Sequence, residues 1–167
     1  MQYPDPDLWH EFFAVLATAA AALVGLFFVV SSLHLDKFAK DRVLQRRAQN
    51  IAIVMMLLFL QALTVLVPQD RWALGAEIFV LNIIILYFPF SAAWIMHKNK
   101  LKFPVIRIAT TILCAVGAGL GGLLLVMNWR WSIHVVAAAD AISMFVLVVN
   151  AWSLMLGAWR TELLKQI

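Results

Sequence analysis

Apolar residues in this chain gather into long runs, and polar residues are confined to short bursts between them. FFAVLATAAAALVGLFFVV opens the first run, and IAIVMMLLFLQALTVLV makes up most of the second. Crossing a bilayer takes about 20 predominantly apolar residues, each adding about 1.5 Å to a helix. Five stretches have that length, at roughly 12–35, 48–67, 72–96, 103–127 and 133–159. The pattern predicts an all-α protein: one transmembrane domain, an integral membrane bundle of five transmembrane helices. The links PQDR (68–71) and NWRW (128–131) are short enough to force antiparallel neighbours. About 50 residues remain outside the spans, fewer than most independent domains need.

Composition strengthens this picture. Of 167 residues, 64% are hydrophobic and 13% are charged, and the mean hydropathy is +0.90. Soluble domains carry about 45–50% apolar and about 25% charged residues. A soluble enzyme, a disordered chain and a nucleic-acid-binding module are all excluded on this balance. The single cysteine, Cys114, excludes a disulfide framework and a multi-cysteine metal site. The opening MQYPDPDLWHE lacks the basic stretch and small-residue cleavage site of a signal peptide. The first run therefore reads as a retained span, with Asp7 as its N-cap.

The net charge of +4 and the pI of about 9.6 follow from topology. Lys37, Lys40, Arg42, Arg46 and Arg47 lie after the first span, and Lys98, Lys100, Lys102 and Arg107 around the third link. Arg160 and Lys165 follow the fifth span. With five spans these eleven of 13 basic residues share one side, leaving Arg71 and Arg130 on the other. The positive-inside rule then places the N-terminus outside and the C-terminus in the cytoplasm. The partners this implies are the lipid bilayer, whose anionic headgroups meet the basic loops, and no nucleic acid. Trp9, Trp72, Trp129 and Trp131 mark the outer boundary, and Trp94 and Trp159 the inner one.

Helices in lipid associate through close backbone approach. Small residues mark candidate contacts: Ala17, Ala21 and Gly25 in the first helix, and Gly117, Gly121 and Gly122 in the fourth. These serve packing within the chain or contact with another subunit.

One residue fits neither spans nor loops. Asp140 lies about nine residues into the fifth helix, roughly 13 Å from the outer boundary and close to mid-membrane. A carboxyl there costs about 2.5–3.5 kcal/mol on insertion scales. At the same depth other helices offer Thr18, Gln61 and Asn82, with Glu77 one to two turns further out and Ser143 one turn along from Asp140. Either these groups glue the bundle through hydrogen bonds, or Asp140 lines a hydrated path or binds a cation or proton. No basic residue lies at this depth, so a neutral carboxyl or a bound cation is the expected state.

The four histidines sit near span ends. His10 and His34 are separated by 24 residues, about 36 Å of helix, which argues against haem between paired imidazoles. His10, Glu11 and His134 could instead meet at an outer metal, but no metal and no cofactor is expected. HExxH, GxSxG, P-loop and dinucleotide fingerprints are missing, so no enzyme activity is expected. The stretch AALVGLFFVVSSLHLD, with RRAQN after a basic segment, resembles small bacterial inner-membrane proteins, which implies that location. The functional expectation is a homo-oligomeric channel or carrier for protons or small cations. Asp140 is its pathway residue, supported by Asn82, Gln61, Thr18, Ser143 and Glu77. The alternative is a non-catalytic accessory or assembly subunit of a larger membrane complex.

Overall fold

The computed structural model of the chain describes residues 9–33, 42–98 and 105–163. They form five helices: α1 (His10–Leu33), α2 (Arg42–Leu66), α3 (Arg71–Lys98), α4 (Val105–Val126) and α5 (Ser132–Leu163). Each contains a segment long and apolar enough to cross a membrane. The chain is a multi-pass, all-helical integral membrane protein, as the run lengths predict. Asp7, His34, Lys37, Lys40, Lys100, Lys102 and Lys165 lie outside the described residues.

Two helices exceed their expected bounds. α2 begins at Arg42, not near residue 48, and α5 continues to Leu163. Hydropathy marks only the part of a helix that lipid covers. The segment RVLQRR is built largely from good helix formers, so the helix continues into the basic link. At the other end of the bundle the turns are tight. Asn128 has a left-handed φ of 56°. Its N–H donates to the Leu125 carbonyl (3.0 Å), and the Trp129 N–H donates to Leu124 (2.9 Å). This pair of bonds is a Schellman cap, with asparagine where glycine is usual. It stops α4 and turns the chain directly into α5.

α4 packs between α3 and α5, while α2 touches α1, α3 and α5. α1 leans mainly on α2 and reaches α5 over a smaller area. Part of that contact is aromatic: the His134 ring lies edge-on to Trp9, with centroids 4.8 Å apart, and to Trp131, at 5.0 Å. The interior divides into two apolar clusters. One, toward the 67–70 and 127–131 turns, includes Phe13, Val65, Ile78 and Val136. The other, toward the basic end where α2 begins, includes Phe27, Leu58, Ile85 and Leu147.

Glycines set how closely α4 approaches its neighbours. A methyl group built on Gly122 would lie 2.9 Å from the Gly75 carbonyl and 3.0 Å from the Phe79 nitrogen. One on Gly121 would meet Val136 Cγ2 at 2.6 Å. Both positions need a bare backbone at the α3–α4 and α4–α5 crossings. Gly117 is looser, with the Ala139 methyl 3.6 Å from a built Cβ. Gly75, the partner of Gly122, is a contact that the glycine pattern of α4 does not reveal. On α1 the small-residue row divides. Ala17 is buried, but Ala21 is exposed, and Gly25 has open space where a Cβ would stand. Ala21 and Gly25 therefore do not pack within this chain: the inward stripe of α1 runs through Phe13, Leu16, Ala17, Ala20 and Phe27.

Gly122→Leu is predicted to destabilise the bundle by about 1–3 kcal/mol or more through overpacking. Gly25→Leu should leave stability within about 0.5 kcal/mol of wild type. Thermal unfolding of the purified variants in one detergent measures both.

Candidate functional site

Each of three helices places one polar residue in an otherwise apolar inward stripe. On α2 the stripe runs Val54, Leu58, Gln61, Val65, and on α3 it runs Leu74, Ile78, Asn82, Ile85. On α5 it runs Ile133, Val136, Asp140, Leu147. The spacing of three, four or seven residues keeps each series on one helical face. Gln61, Asn82 and Asp140 consequently meet as a single polar layer between the two apolar clusters. They are 0%, 3% and 1% exposed.

The layer is a directed chain of hydrogen bonds. Asn82 Nδ2 donates to the Ile78 carbonyl at 2.9 Å and to Gln61 Oε1 at 2.8 Å. Gln61 Nε2 donates to Asp140 Oδ1 at 2.7 Å. The Ile78 carbonyl accepts only, so it fixes which end of the Asn82 amide faces α2. That choice makes Gln61 Oε1 the acceptor and turns the Gln61 NH₂ toward Asp140. Oδ1 thus receives a hydrogen bond whether or not the carboxyl carries a proton. Oδ2 is different: it is buried and, among the described residues, has no hydrogen-bond partner.

A cavity of about 20 Å³, open to a water-sized sphere, adjoins this layer. Asp140 and Asn82 form part of its wall, with Thr111, Cys114 and Ser143 as further polarisable or polar groups. Gln61 is not among the lining residues, whereas Asp140, whose Oδ2 has no partner among the described residues, is one of them. Such a volume accommodates about one water-sized guest. The cavity lies on one side of the layer. Val54 and Leu58 precede Gln61 on α2, Ile85 follows Asn82 on α3, and Leu147 follows Asp140 on α5, all toward the basic end. On the opposite side Phe13, Ile78 and Val136 are fully buried and close the interior.

Of the predicted site residues, the fold brings together Asp140, Asn82, Gln61 and Ser143. Thr18 and Glu77 are elsewhere. Thr18 is on the exposed face of α1, its hydroxyl donating to the Ala14 carbonyl at 2.8 Å. Depth alone suggested it, but its helical phase points it away. Glu77 is exposed and accepts a hydrogen bond from Gln69 Nε2 at 2.9 Å. Five residues separate it from Asn82, about 140° around the helix, so the two cannot share a face. Thr111 and Cys114 join the site from α4. Pro89 was also legible. It lies inside α3, where its missing N–H deprives the carbonyl four residues earlier of its helical partner. That carbonyl belongs to Ile85, a cavity residue.

His10, Glu11 and His134 do not form a metal site. Among the described residues, no group of three His, Cys, Asp or Glu side chains is placed to hold a metal ion. Comparison with protein-family models, curated proteins and solved structures finds no match to the chain.

Gln61→Leu removes the one donor to Asp140 and is predicted to destabilise the protein by about 1–3 kcal/mol. Asp140→Leu combined with Gln61→Leu should recover part of that loss, because no unpaired carboxyl remains. A double-mutant cycle of unfolding free energies reads the coupling. Strictly additive losses would show that the 2.7 Å contact carries no energy.

Proposed function

We propose that the protein is a membrane carrier or channel for protons or small cations, with Asp140 binding the ion in mid-membrane. The observation that carries this reading is that Asp140, a residue lining a water-sized cavity, has a buried Oδ2 with no hydrogen-bond partner among the described residues. A purely structural role does not balance energetically. Interhelical hydrogen bonds in membranes contribute about 0.6 kcal/mol on average and about 1.7 at most. Asp140 has one such bond, from Gln61, against an insertion cost of about 2.5–3.5 kcal/mol. A bound cation or proton relay supplies the missing compensation. Fully buried side chains close the interior on both sides of the layer, Phe13, Ile78 and Val136 toward the turns and Leu154 toward the basic end, which supports a gated carrier more than an open pore.

Five helices leave little room for two gates, so the carrier acts as a homo-oligomer. With the positive-inside orientation, the cavity lies on the cytoplasmic side of the polar layer, in a bacterial inner membrane. A second reading draws on the outward small-residue row of α1, where Gly25 has free space around it. That row suits close approach of another protein's helix and an accessory role in a larger complex. Purification in mild detergent separates the two: a single-species oligomer supports the carrier, and stoichiometric foreign subunits support the accessory role.

Asp140→Asn keeps an oxygen for the Gln61 amide and removes the charge. In proteoliposomes this variant should lose nearly all proton or cation flux while retaining the wild-type elution volume. Unchanged flux would remove Asp140 from the mechanism.

A further inference from the structure

We infer that the cavity beside Asp140 is a binding site for one dehydrated alkali-metal cation such as Na⁺. This deepens the carrier function proposed above and rests on it.

The donor set is the first reason. Both amide hydrogens of Asn82 are committed, to Gln61 and to the Ile78 carbonyl. The atom that Asn82 can offer the cavity is therefore its carbonyl oxygen. Asp140 offers Oδ2, the oxygen without a partner. Thr111 and Ser143 line the same space, and a hydroxyl oxygen can donate a lone pair to a cation wherever its hydrogen points. A backbone carbonyl is the candidate for a fifth oxygen. Pro89 has no N–H to give the Ile85 carbonyl, and Ile85 is part of the cavity wall.

Charge and size narrow the guest. The site holds one carboxylate and no basic side chain. A monovalent ion neutralises it, whereas a divalent ion would leave a net charge in a low-dielectric interior. Hard oxygen donors suit an alkali cation. A space of about 20 Å³ excludes an ion that keeps its hydration shell.

The test is equilibrium binding of radiolabelled sodium to the purified full-length protein, competed with Li⁺, K⁺ or choline. Saturable binding that Li⁺ displaces and choline does not is expected. Asp140→Asn should abolish it. Pro89→Ala restores a helical partner to the Ile85 carbonyl and should weaken it about tenfold. Cys114 provides an independent readout on unmutated protein, because this lone thiol borders the cavity. Na⁺ should slow its conversion to a mixed disulfide by a small methanethiosulfonate, which releases methanesulfinate, relative to choline. No saturable binding of Na⁺ or Li⁺, together with no effect on this Cys114 modification, would overturn the site. If proton flux through Asp140 persisted in that case, the carrier function would stand without it. If Na⁺ bound but the reconstituted protein moved neither Na⁺ nor protons, the site would stand and the carrier function would fall.

Discussion

A carboxyl group at mid-membrane has no water to turn to, so every compensation for it must come from the protein or from a guest. That constraint organises this bundle. Asp140 is placed between two apolar clusters by the inward stripe of α5, and Gln61 and Asn82 reach it from stripes on α2 and α3. Their amides form a chain that begins on the Ile78 carbonyl and ends on Oδ1. The chain has one direction, so it satisfies one carboxyl oxygen and leaves the other. The unsatisfied Oδ2 and the adjoining cavity are two aspects of one arrangement.

The glycines of α4 give that arrangement its asymmetry. Gly121 and Gly122 draw α5 and α3 against α4 on one side of the polar layer, where Ile78 and Val136 are fully buried. Across the layer, toward the basic end, Thr111, Cys114 and Ala115 line α4 in their place. Pro89 lies beyond them on α3, one turn from Ile85. Close packing on one side of the layer and a small void on the other leave Asp140 with space on one side only.

Much of this was legible in the chain, for reasons that differ between residues. Hydropathy located the five spans because lipid must be met by about 20 apolar residues. It missed the start of α2 at Arg42 because a helix need not stop at the lipid surface. Depth counted from span ends selected Gln61, Asn82 and Asp140 correctly as neighbours in height. Depth carries no angular information, so it also selected Thr18. Phase within the inward stripe of α1 would have removed Thr18, which lies three, four or seven residues from none of its buried neighbours, and the five-residue step to Asn82 would have removed Glu77. Ile85 was open to a different inference, because a proline inside an apolar run frees the carbonyl four residues earlier. Gly75 carried no such signal. Its role appears only when Gly122 is opposite to it, and one chain without its fold does not pair helices.

The most direct test of the account is an experimental structure in a lipid phase containing sodium, at a resolution that shows single bound ions. The account predicts density in the cavity within bonding distance of Asp140 Oδ2, with the Gln61 amide still donating to Oδ1. A cavity collapsed around Oδ2, with a protein donor bonded to it and no guest, would contradict it.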